Sequence, residues 1–350
     1  MQAFVNKLIS KYNLDLSDLT IFTEAASGPY LYNPLIAVIS GAKQVFTYCK
    51  NSKFGEVRDI KVQIQDSYKK LGYSNSINFI NEKKTEIIGK ADIITNSGHV
   101  RPIDKNFICQ MKSTAVIPLM WEPWEFRGTE LDINTAKDCG ILVMGTNEHE
   151  PPCDMRAYSS LTALKLLFDH GSSIVDENIL IIGNQNTLAV PIQKTLTAMG
   201  LQCKRIETNI DISDINTGIK WATYIIVAEH LDNQLLIGTN ALVSISKIVE
   251  ARVHSIGVIS GQVDKKGLEI AGVSVFPENL SPKGYMSYQP FELGPYPVMD
   301  LFAAGLKVGE SMARARLKGL STCDAAIEAM RNSPALDMEG DSAWISKRDF

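Results

Sequence analysis

His149 is the residue of this sequence whose type and position best suit proton transfer. It stands between Glu148 and Glu150, just after the apolar run from Ile141 to Met144. Histidine changes its charge near neutral pH, so we expect His149 to act as a general acid or base, with Glu148 beside it. A histidine between two acids could instead cap or ion-pair a hinge. A metal site is disfavoured, because adjacent side chains on an extended segment point to opposite sides.

Further polar side chains follow two other apolar runs. His99 and Arg101 come after residues 92–95, and Arg127 comes after residues 114–119. Either arginine could hold a carboxylate or a phosphate through two parallel hydrogen bonds. Open α/β sheets carry their sites at the carboxyl ends of their strands, so neighbouring strands would bring these residues to one edge.

Other features near these loops have both a functional and a structural interpretation. Trp121 and Trp124 could wall an aromatic ligand or pack between domains, and packing is the favoured interpretation. Glu24, followed by Gly28-Pro29-Tyr30, could complete the floor of the same site or belong to a simple turn.

The elements that would position these residues alternate in kind along the chain. Short runs rich in Ile and Val, typical of buried strands, are separated by amphipathic stretches of helical length. This alternation predicts an α/β fold of two Rossmann- or flavodoxin-like domains with parallel sheets. The predicted strands are 19–23, 45–48, 77–80, 92–95, 114–119, 141–144, 178–183, 203–208, 224–228, 255–259 and 272–275.

Two prolines, Pro151 and Pro152, interrupt the chain between a first block, to about residue 150, and a second block of residues 151–297. Asp154 is expected to be the N-cap of a helix over residues 155–169. A final helix is predicted over residues 298–317. The tail after residue 333 is polar, which predicts poor packing.

The composition limits what the protein can do. The chain has 350 residues, 45% hydrophobic and 21% charged, which suits two domains with real cores. A net charge of −4 gives no long-range attraction for nucleic acid or an anionic membrane, so we expect neither partner. No apolar run reaches the roughly 20 residues of a membrane span, and no secretory signal opens the sequence. The six cysteines form no C-x-x-C pair, which argues against zinc and disulfides and indicates a cytoplasmic protein.

Part of the sequence resembles the D-2-hydroxyacid dehydrogenases. Residues 91–95 (ADIIT) and then 128–144 (GTELDINTAKDCGILVM) are similar to the segment in which an aspartate-led helix ends at Gly-Ile and feeds a strand. A long helix before the apolar strand and glycine turn at 178–183 follows in the expected order. So does a late strand before Ser260-Gly261.

The resemblance implies an architecture, a cofactor and partners. A cofactor domain, residues 151–297, would be inserted into a substrate domain, residues 1–150 plus 298–350, to which the last helix returns. The cleft between them would hold NAD or NADP and a small-molecule substrate, a 2-hydroxy or 2-keto acid. A homodimer formed through the cofactor domain is also implied.

The turn that would bind the dinucleotide departs from the family's glycine pattern. It reads Gly183-Asn184-Gln185-Asn186-Thr187-Leu188, with only the first glycine present. Glycines allow the tight turn and the close approach of the pyrophosphate, so Gln185 and Leu188 are expected to obstruct it. Free N–H groups at the helix N-terminus could still bind a phosphate. Glu207, after the next strand, could accept a ribose hydroxyl or be a solvated acid.

The family's catalytic arginine, glutamate and histidine are only partly matched. Ser260-Gly261 replaces the arginine expected before a glycine and would lie at the cofactor. Glu278 could match the glutamate. Tyr296, between Pro295 and Pro297, replaces the histidine, and a tyrosine needs strong tuning to act as an acid near neutral pH.

Two functions therefore stand as alternatives. The first is a divergent NAD(P)-dependent oxidoreductase for a small carboxylate-bearing metabolite in a biosynthetic pathway, with a site rebuilt around His149, Arg127 and His99. The second is a non-redox binding, scaffold or lyase-type protein that keeps only the fold. The degenerate turn favours the second, and the charged and aromatic residues at the strand ends favour a ligand.

Overall fold

Two sheets, each in its own part of the chain, organise the protein. A computed structural model describes residues 1–52, 55–73, 77–184, 186, 188–232 and 234–345. Unit 1 comprises Met1–Asp154 and Pro295–Phe350, and unit 2 comprises Met155–Gly294. The boundaries expected from the sequence were 150/151 and 297/298. The predicted α/β class with two largely parallel sheets is confirmed.

Unit 1 starts with six helices and eight strands. The helices are α1 (Gln2–Tyr12), α2 (Asn33–Ile39), α3 (Val57–Lys70), α4 (Thr85–Ile88), α5 (Lys105–Ile108) and α6 (Ile133–Asp138). The strands are β1 (Thr20–Glu24), β2 (Gln44–Tyr48), β3 (Asn78–Ile80), β4 (Ile93–Ile94), β5 (Val116–Pro118), β6 (Leu142–Thr146), β7 (His149–Glu150) and β8 (Cys153–Asp154).

Unit 2 follows, and the chain then returns to unit 1. The helices of unit 2 are α7 (Arg156–Asp169), α8 (Ala189–Ala198), α9 (Ile212–Trp221), α10 (Ile245–Glu250) and α11 (Lys265–Ile270). Its strands are β9 (Asn178–Ile182), β10 (Gln202–Ile206), β11 (Tyr224–Ala228), β12 (Leu235–Ile237), β13 (Ser255–Ser260), β14 (Gln262–Val263) and β15 (Ser274–Phe276). The returning elements are α12 (Tyr296–Leu317), α13 (Thr322–Asn332) and β16 (Ala335–Leu336).

The unit 1 sheet has the strand order β16-β6-β5-β4-β1-β2-β3 and is parallel except for β16. Its central strands are buried on both faces, which explains their unbroken apolar sequences. One face packs a core that includes Phe22 and Ile117, and α12 covers the other, where Gly309 lies against Ile93. Parallel pairing brings the ends of β1, β4, β5 and β6 together. We call residues 24–30, 95–101, 119–130 and 145–149 the unit 1 edge.

Unit 2 contains a five-stranded parallel sheet in the order β10-β9-β11-β13-β15. Apolar cores cover both of its faces, one built around Ile225 and Val258 and the other around Ile181 and Ile226. Residues 183–188, 207–208, 229–232 and 260–261 follow the carboxyl ends of four of these strands. We call them the unit 2 edge.

Two local predictions were wrong. Asp154 is not the N-cap of α7; it lies in β8 and pairs with His149, and the N-cap is Met155 without a side-chain bond. The tail is not poorly packed, because β16 adds antiparallel to β6 and buries Ala335 and Met338. The pairing satisfies the backbone groups that β6 would otherwise leave at the edge of the sheet.

Within the described residues, no helix combines the length and the apolar character needed to cross a bilayer.

Candidate functional site

His149 pairs with a glutamate from the neighbouring loop and not from its own segment. Its Nε2 lies 2.8 Å from Oε1 of Glu122, and Nε1 of Trp124 donates to Oε2 of Glu122 at 2.7 Å. The Glu122 side chain is 3% exposed and that of His149 is 39% exposed. A carboxylate only accepts, so Nε2 carries the hydrogen and Nδ1 keeps its lone pair, which no described residue bonds. This is the form of a general base.

The meeting of these side chains follows from the contact between β6 and the loop after β5. A Cβ at Gly145 of β6 would lie 2.5 Å from Cδ of Pro123, so only glycine allows the loop to lie this close. The N–H of Thr146 also donates to the carbonyl of Trp121 at 2.8 Å. The segment that carries Glu122 therefore lies directly on the strand that leads to His149.

Two more glutamates, Glu125 and Glu148, share this region. Burial raises the pKa of Glu125 to about 7; Arg127 opposes the shift and Glu122 adds to it. Burial also raises the pKa of Glu148 well above its usual range, and Glu125 and Glu122 raise it further. Glu148 is therefore protonated near neutral pH and is not the carboxylate partner of His149 that the sequence suggested. It stands beside His149 in the chain as a proton donor.

Arg101 is the better placed of the two predicted arginines. Its guanidinium lies 4.4 Å from the ring centroid of Trp121, and Nη1 lies 2.6 Å from Oε1 of Glu130. Its Nε is buried and has no hydrogen-bond partner among the described residues. Arg127 lies 3.7 Å from the other oxygen of Glu130. Stacking and the ion pair hold Arg101 in one orientation and leave a donor available.

His99 is a structural tie between two loops. It is 8% exposed, its backbone N–H donates to Oε2 of Glu24 at 2.9 Å, and its Nδ1 lies 2.9 Å from the carbonyl oxygen of Ala25. A carbonyl only accepts, so Nδ1 carries the hydrogen. His99 and Glu24 thus join the loops after β4 and β1 and shape the unit 1 edge without facing solvent.

Unpaired polar atoms concentrate at this edge. Eleven buried side-chain nitrogen or oxygen atoms of the described residues have no hydrogen-bond partner, and six lie here. An unmade buried hydrogen bond costs about 1–3 kcal/mol, so such a concentration marks a place where a polar ligand or water completes the bonding. The six are Asn96 Oδ1, Arg101 Nε, Trp121 Nε1, Glu130 Oε2, Thr146 Oγ1 and Glu148 Oε1.

The catalytic positions implied by the resemblance are not assembled. Tyr296 begins α12, is 45% exposed and lies against Phe4, with ring centroids 4.2 Å apart. Glu278 is 90% exposed on its side chain and lies 3.6 Å from Nζ of Lys265. Neither residue bonds to a histidine in the part of the chain that the structure describes.

At the unit 2 edge, Gly183 is required by the fold itself. A Cβ on Gly183 would lie 2.2 Å from the carbonyl oxygen of Ala228, so the end of β11 demands a glycine whatever the turn binds. Leu188 is buried in the core beneath α8, whereas Asn186 is exposed. Gln185 and Thr187 lie outside the described residues.

The remaining predicted cofactor residues bond to one another or to their neighbours. The N–H of Asn184 donates to Oε2 of Glu229 at 2.9 Å. Glu207 pairs with Arg205 at 3.0 Å. The hydroxyl of Ser260 lies 2.6 Å from Nδ1 of His230, and Gly261 has a φ of +117° where a Cβ would lie 2.8 Å from Val227.

Solved structures with this architecture are found among dehydrogenases. One of the two subunits of a dipicolinate synthase, from Bacillus halodurans, matches with a TM-score of 0.52 and 9% identity, over 83% of this chain and 96% of that one. A proposed D-3-phosphoglycerate dehydrogenase from Ralstonia solanacearum matches with a TM-score of 0.51 and 10% identity, over 90% and 100% of the two chains. No protein-family model and no curated protein matches the chain. The resemblance to D-2-hydroxyacid dehydrogenases is thus confirmed for the fold.

The described residues of the Gly183 turn do not fit a dinucleotide pyrophosphate. The Asn184 amide already bonds the buried carboxylate of Glu229, and Pro191, the third residue of α8, has no N–H to offer. A second carboxylate, that of Asp232, lies 2.9 Å from the Thr208 hydroxyl at the same edge. A pyrophosphate at this turn would meet negative charge where the family supplies bare backbone.

Sequence reasoning missed Glu122, Asn96 and Thr146 in unit 1 and Glu229 in unit 2. Each is a polar residue at or just after the end of an apolar strand, which was the only available signal. No group of three His, Cys, Asp or Glu side chains among the described residues is arranged to hold a metal ion.

Proposed function

We propose that the protein is an enzyme that moves a proton on a small carboxylate-bearing metabolite at the unit 1 edge, without a redox cofactor. The pair of His149 with buried Glu122, beside six unsatisfied polar atoms, carries this proposal. The substrate class follows from Arg101, whose buried Nε matches a carboxylate oxygen. The reaction class is that of a lyase or isomerase.

Each side chain has a role that its contacts support. Nδ1 of His149 takes a proton from the substrate carbon next to the carboxylate, and the electron pair of that C–H bond passes into the carboxylate as an enolate. Glu122 stabilises the imidazolium that results, because its carboxylate bonds Nε2. Protonated Glu148 lies beside His149 to return a proton when the intermediate collapses.

The test is deuterium incorporation into carboxylates in D2O, followed by proton NMR. The panel contains pyruvate, malate, 2-oxoglutarate and aspartate, with thermal unfolding to detect binding. We expect the carbon-bound proton of at least one panel member to exchange with the wild-type chain and not with His149→Ala. Exchange at the wild-type rate in His149→Ala contradicts the proposal. So does a panel in which no member exchanges or raises the Tm.

A second candidate is an NAD(P)-dependent oxidoreductase acting on a small carboxylate-bearing metabolite in a biosynthetic pathway. It is favoured by the glycine turn after β9 and by Glu207 after β10, which is 42% exposed on its side chain. The similar Bacillus halodurans protein is named as part of a dipicolinate synthase, which also points to a biosynthetic carboxylate. Here His149 would exchange the substrate's hydroxyl proton. Binding of NADH or NADPH to the whole chain decides between the candidates.

The homodimer and the cytoplasmic location remain predictions from the resemblance and from the cysteine pattern. Sedimentation equilibrium of the full chain gives the mass that tests the dimer.

A further inference from the structure

A buried carboxylate occupies the turn where the fold would bind phosphate. Glu229 follows β11 directly and is 0% exposed. Its Oε2 accepts from the N–H of Asn184 at 2.9 Å, and its Oε1 accepts from the N–H groups of Leu231 at 2.9 Å and Asp232 at 3.1 Å. Three backbone N–H groups around one buried anion is the arrangement in which loops of this type hold a phosphate.

The side chain of Asn184 is fixed as well. Its Nδ2 donates to Oγ1 of Thr208 at 2.7 Å, and its Oδ1 accepts from the Thr208 N–H at 2.8 Å. The Thr208 hydroxyl in turn donates to Oδ2 of Asp232 at 2.9 Å. Each polar group therefore has an internal partner, and a ligand would have to displace these bonds before making its own.

The charge at this turn is also set against a phosphate. Burial acts to raise the pKa of Asp232, but hydrogen bonds from Gln234 and Thr208 outweigh it, and the net pKa is lowered. Asp232 is therefore ionised at neutral pH, beside the Glu229 carboxylate. The only cationic group bonded at the turn is Arg205, which donates to the Gly183 carbonyl among the described residues and also pairs with Glu207.

We propose that Glu229 serves as an internal anion that fills the phosphate position of the Gly183 turn, so that unit 2 excludes a dinucleotide pyrophosphate. The glycine is then retained because β11 approaches it, and the loss of the other glycines carries no penalty. This inference concerns unit 2 alone and does not rest on proton transfer at the unit 1 edge.

The first test measures binding of NADH, NADPH and inorganic pyrophosphate to the full wild-type chain by isothermal titration calorimetry. We expect no saturable binding of any of the three up to about 1 mM, a weaker affinity than a working dinucleotide site requires. A dissociation constant below that limit for any of them overturns the inference. Dinucleotide binding would also favour the second candidate function, whereas the proton-transfer proposal is decided separately by His149→Ala.

The second test asks whether Glu229 is the group that holds the turn. Amide hydrogen exchange is compared in the wild type, Glu229→Ala and the surface control Glu250→Ala. We expect exchange of the Asn184, Leu231 and Asp232 amides to rise about tenfold or more in Glu229→Ala only. Unchanged exchange at all three amides in Glu229→Ala overturns the proposal.

If Glu229→Ala does not fold, Glu229→Gln replaces it in the same measurement. The amide of glutamine has one acceptor oxygen for donors that the carboxylate serves with two, so at least one of the three N–H groups must lose its partner. Faster exchange at one or more of them supports the proposal, and unchanged exchange at all of them overturns it.

Discussion

The carboxyl edges of the two sheets differ in how far they satisfy their own polar groups. At the unit 2 edge, Asn184, Thr208 and Glu229 bond to one another or to backbone N–H groups, and no described residue there has an unpaired buried side-chain atom. At the unit 1 edge, Asn96 and Thr146 are as deeply buried but have unpaired oxygens. Two edges of the same architecture are thus prepared differently, one closed by internal bonds and one open to a ligand.

The largest expected effect uses two similar histidine–glutamate pairs. His149→Ala should reduce deuterium incorporation by about 10²- to 10⁴-fold, the usual contribution of a general acid or base. His254, whose Nε2 lies 3.1 Å from buried Glu177, precedes β13 at the opposite end of the unit 2 sheet. His254→Ala should leave the rate within about twofold of the wild type. Equal losses in the two variants would mean that the unit 1 edge has no special role.

The next effect concerns carboxylate binding by Arg101. Arg101→Met keeps much of the packing on Trp121 and removes the charge, so affinity for a panel carboxylate should fall about 10- to 100-fold, as expected for a lost charged hydrogen bond. Arg58→Met, on the exposed face of α3, is the matched control and should leave the affinity unchanged. Calorimetric titration of malate measures both, and equal affinities in the two variants would refute the assignment.

A pair of threonine substitutions compares the two edges directly. Thr208→Val removes a hydroxyl with two partners and should lower the free energy of unfolding by about 1–3 kcal/mol. Thr146→Val removes a buried hydroxyl with no partner and should change it by less than about 0.5 kcal/mol, or increase it. Urea unfolding measures both. A larger loss in Thr146→Val would mean that the unit 1 edge is bonded internally.

The smallest expected effect is the pH dependence caused by Glu125. Its pKa is raised to about 7 in the fold, so the protonated form is favoured there. The stability linked to it is complete below the ordinary carboxyl pKa and is lost as the pH rises through about 7. Glu125→Gln should therefore gain about 1–3 kcal/mol over the wild type between pH 5 and pH 8. Thermal unfolding against Glu250→Gln checks this, and a pH-independent difference would contradict it.

The strand ends could be predicted from the sequence, and the bonding at those ends could not. Ile- and Val-rich runs showed where the central strands lie, and the polar residues that follow them indicated His149 and Arg101. The partner of His149 was sought in Glu148 and Glu150 because they are its neighbours in the chain. Glu122 lies 27 residues away and reaches the histidine only because Gly145 lets its loop lie on β6.

The elements missed or misjudged share one cause. β16 is two residues long and holds its place through pairing with β6, which no local pattern records. Glu278 and Tyr296 were assigned by position in a family motif, and the structure places both among other neighbours. A short strand or a single polar residue carries too little periodicity to indicate its tertiary partner.

The Gly183 turn and the His149 loop separate what each level of description decides. The sequence by itself determined that both follow buried strands of α/β sheets, because strand periodicity and apolar runs are local properties. It also showed that the turn lacks its second and third glycines. Only the tertiary structure decided that Glu229 fills the turn and that Glu122 supports His149. Both depend on which strands become neighbours, and that is fixed by packing over the whole sheet and not by the residues alongside.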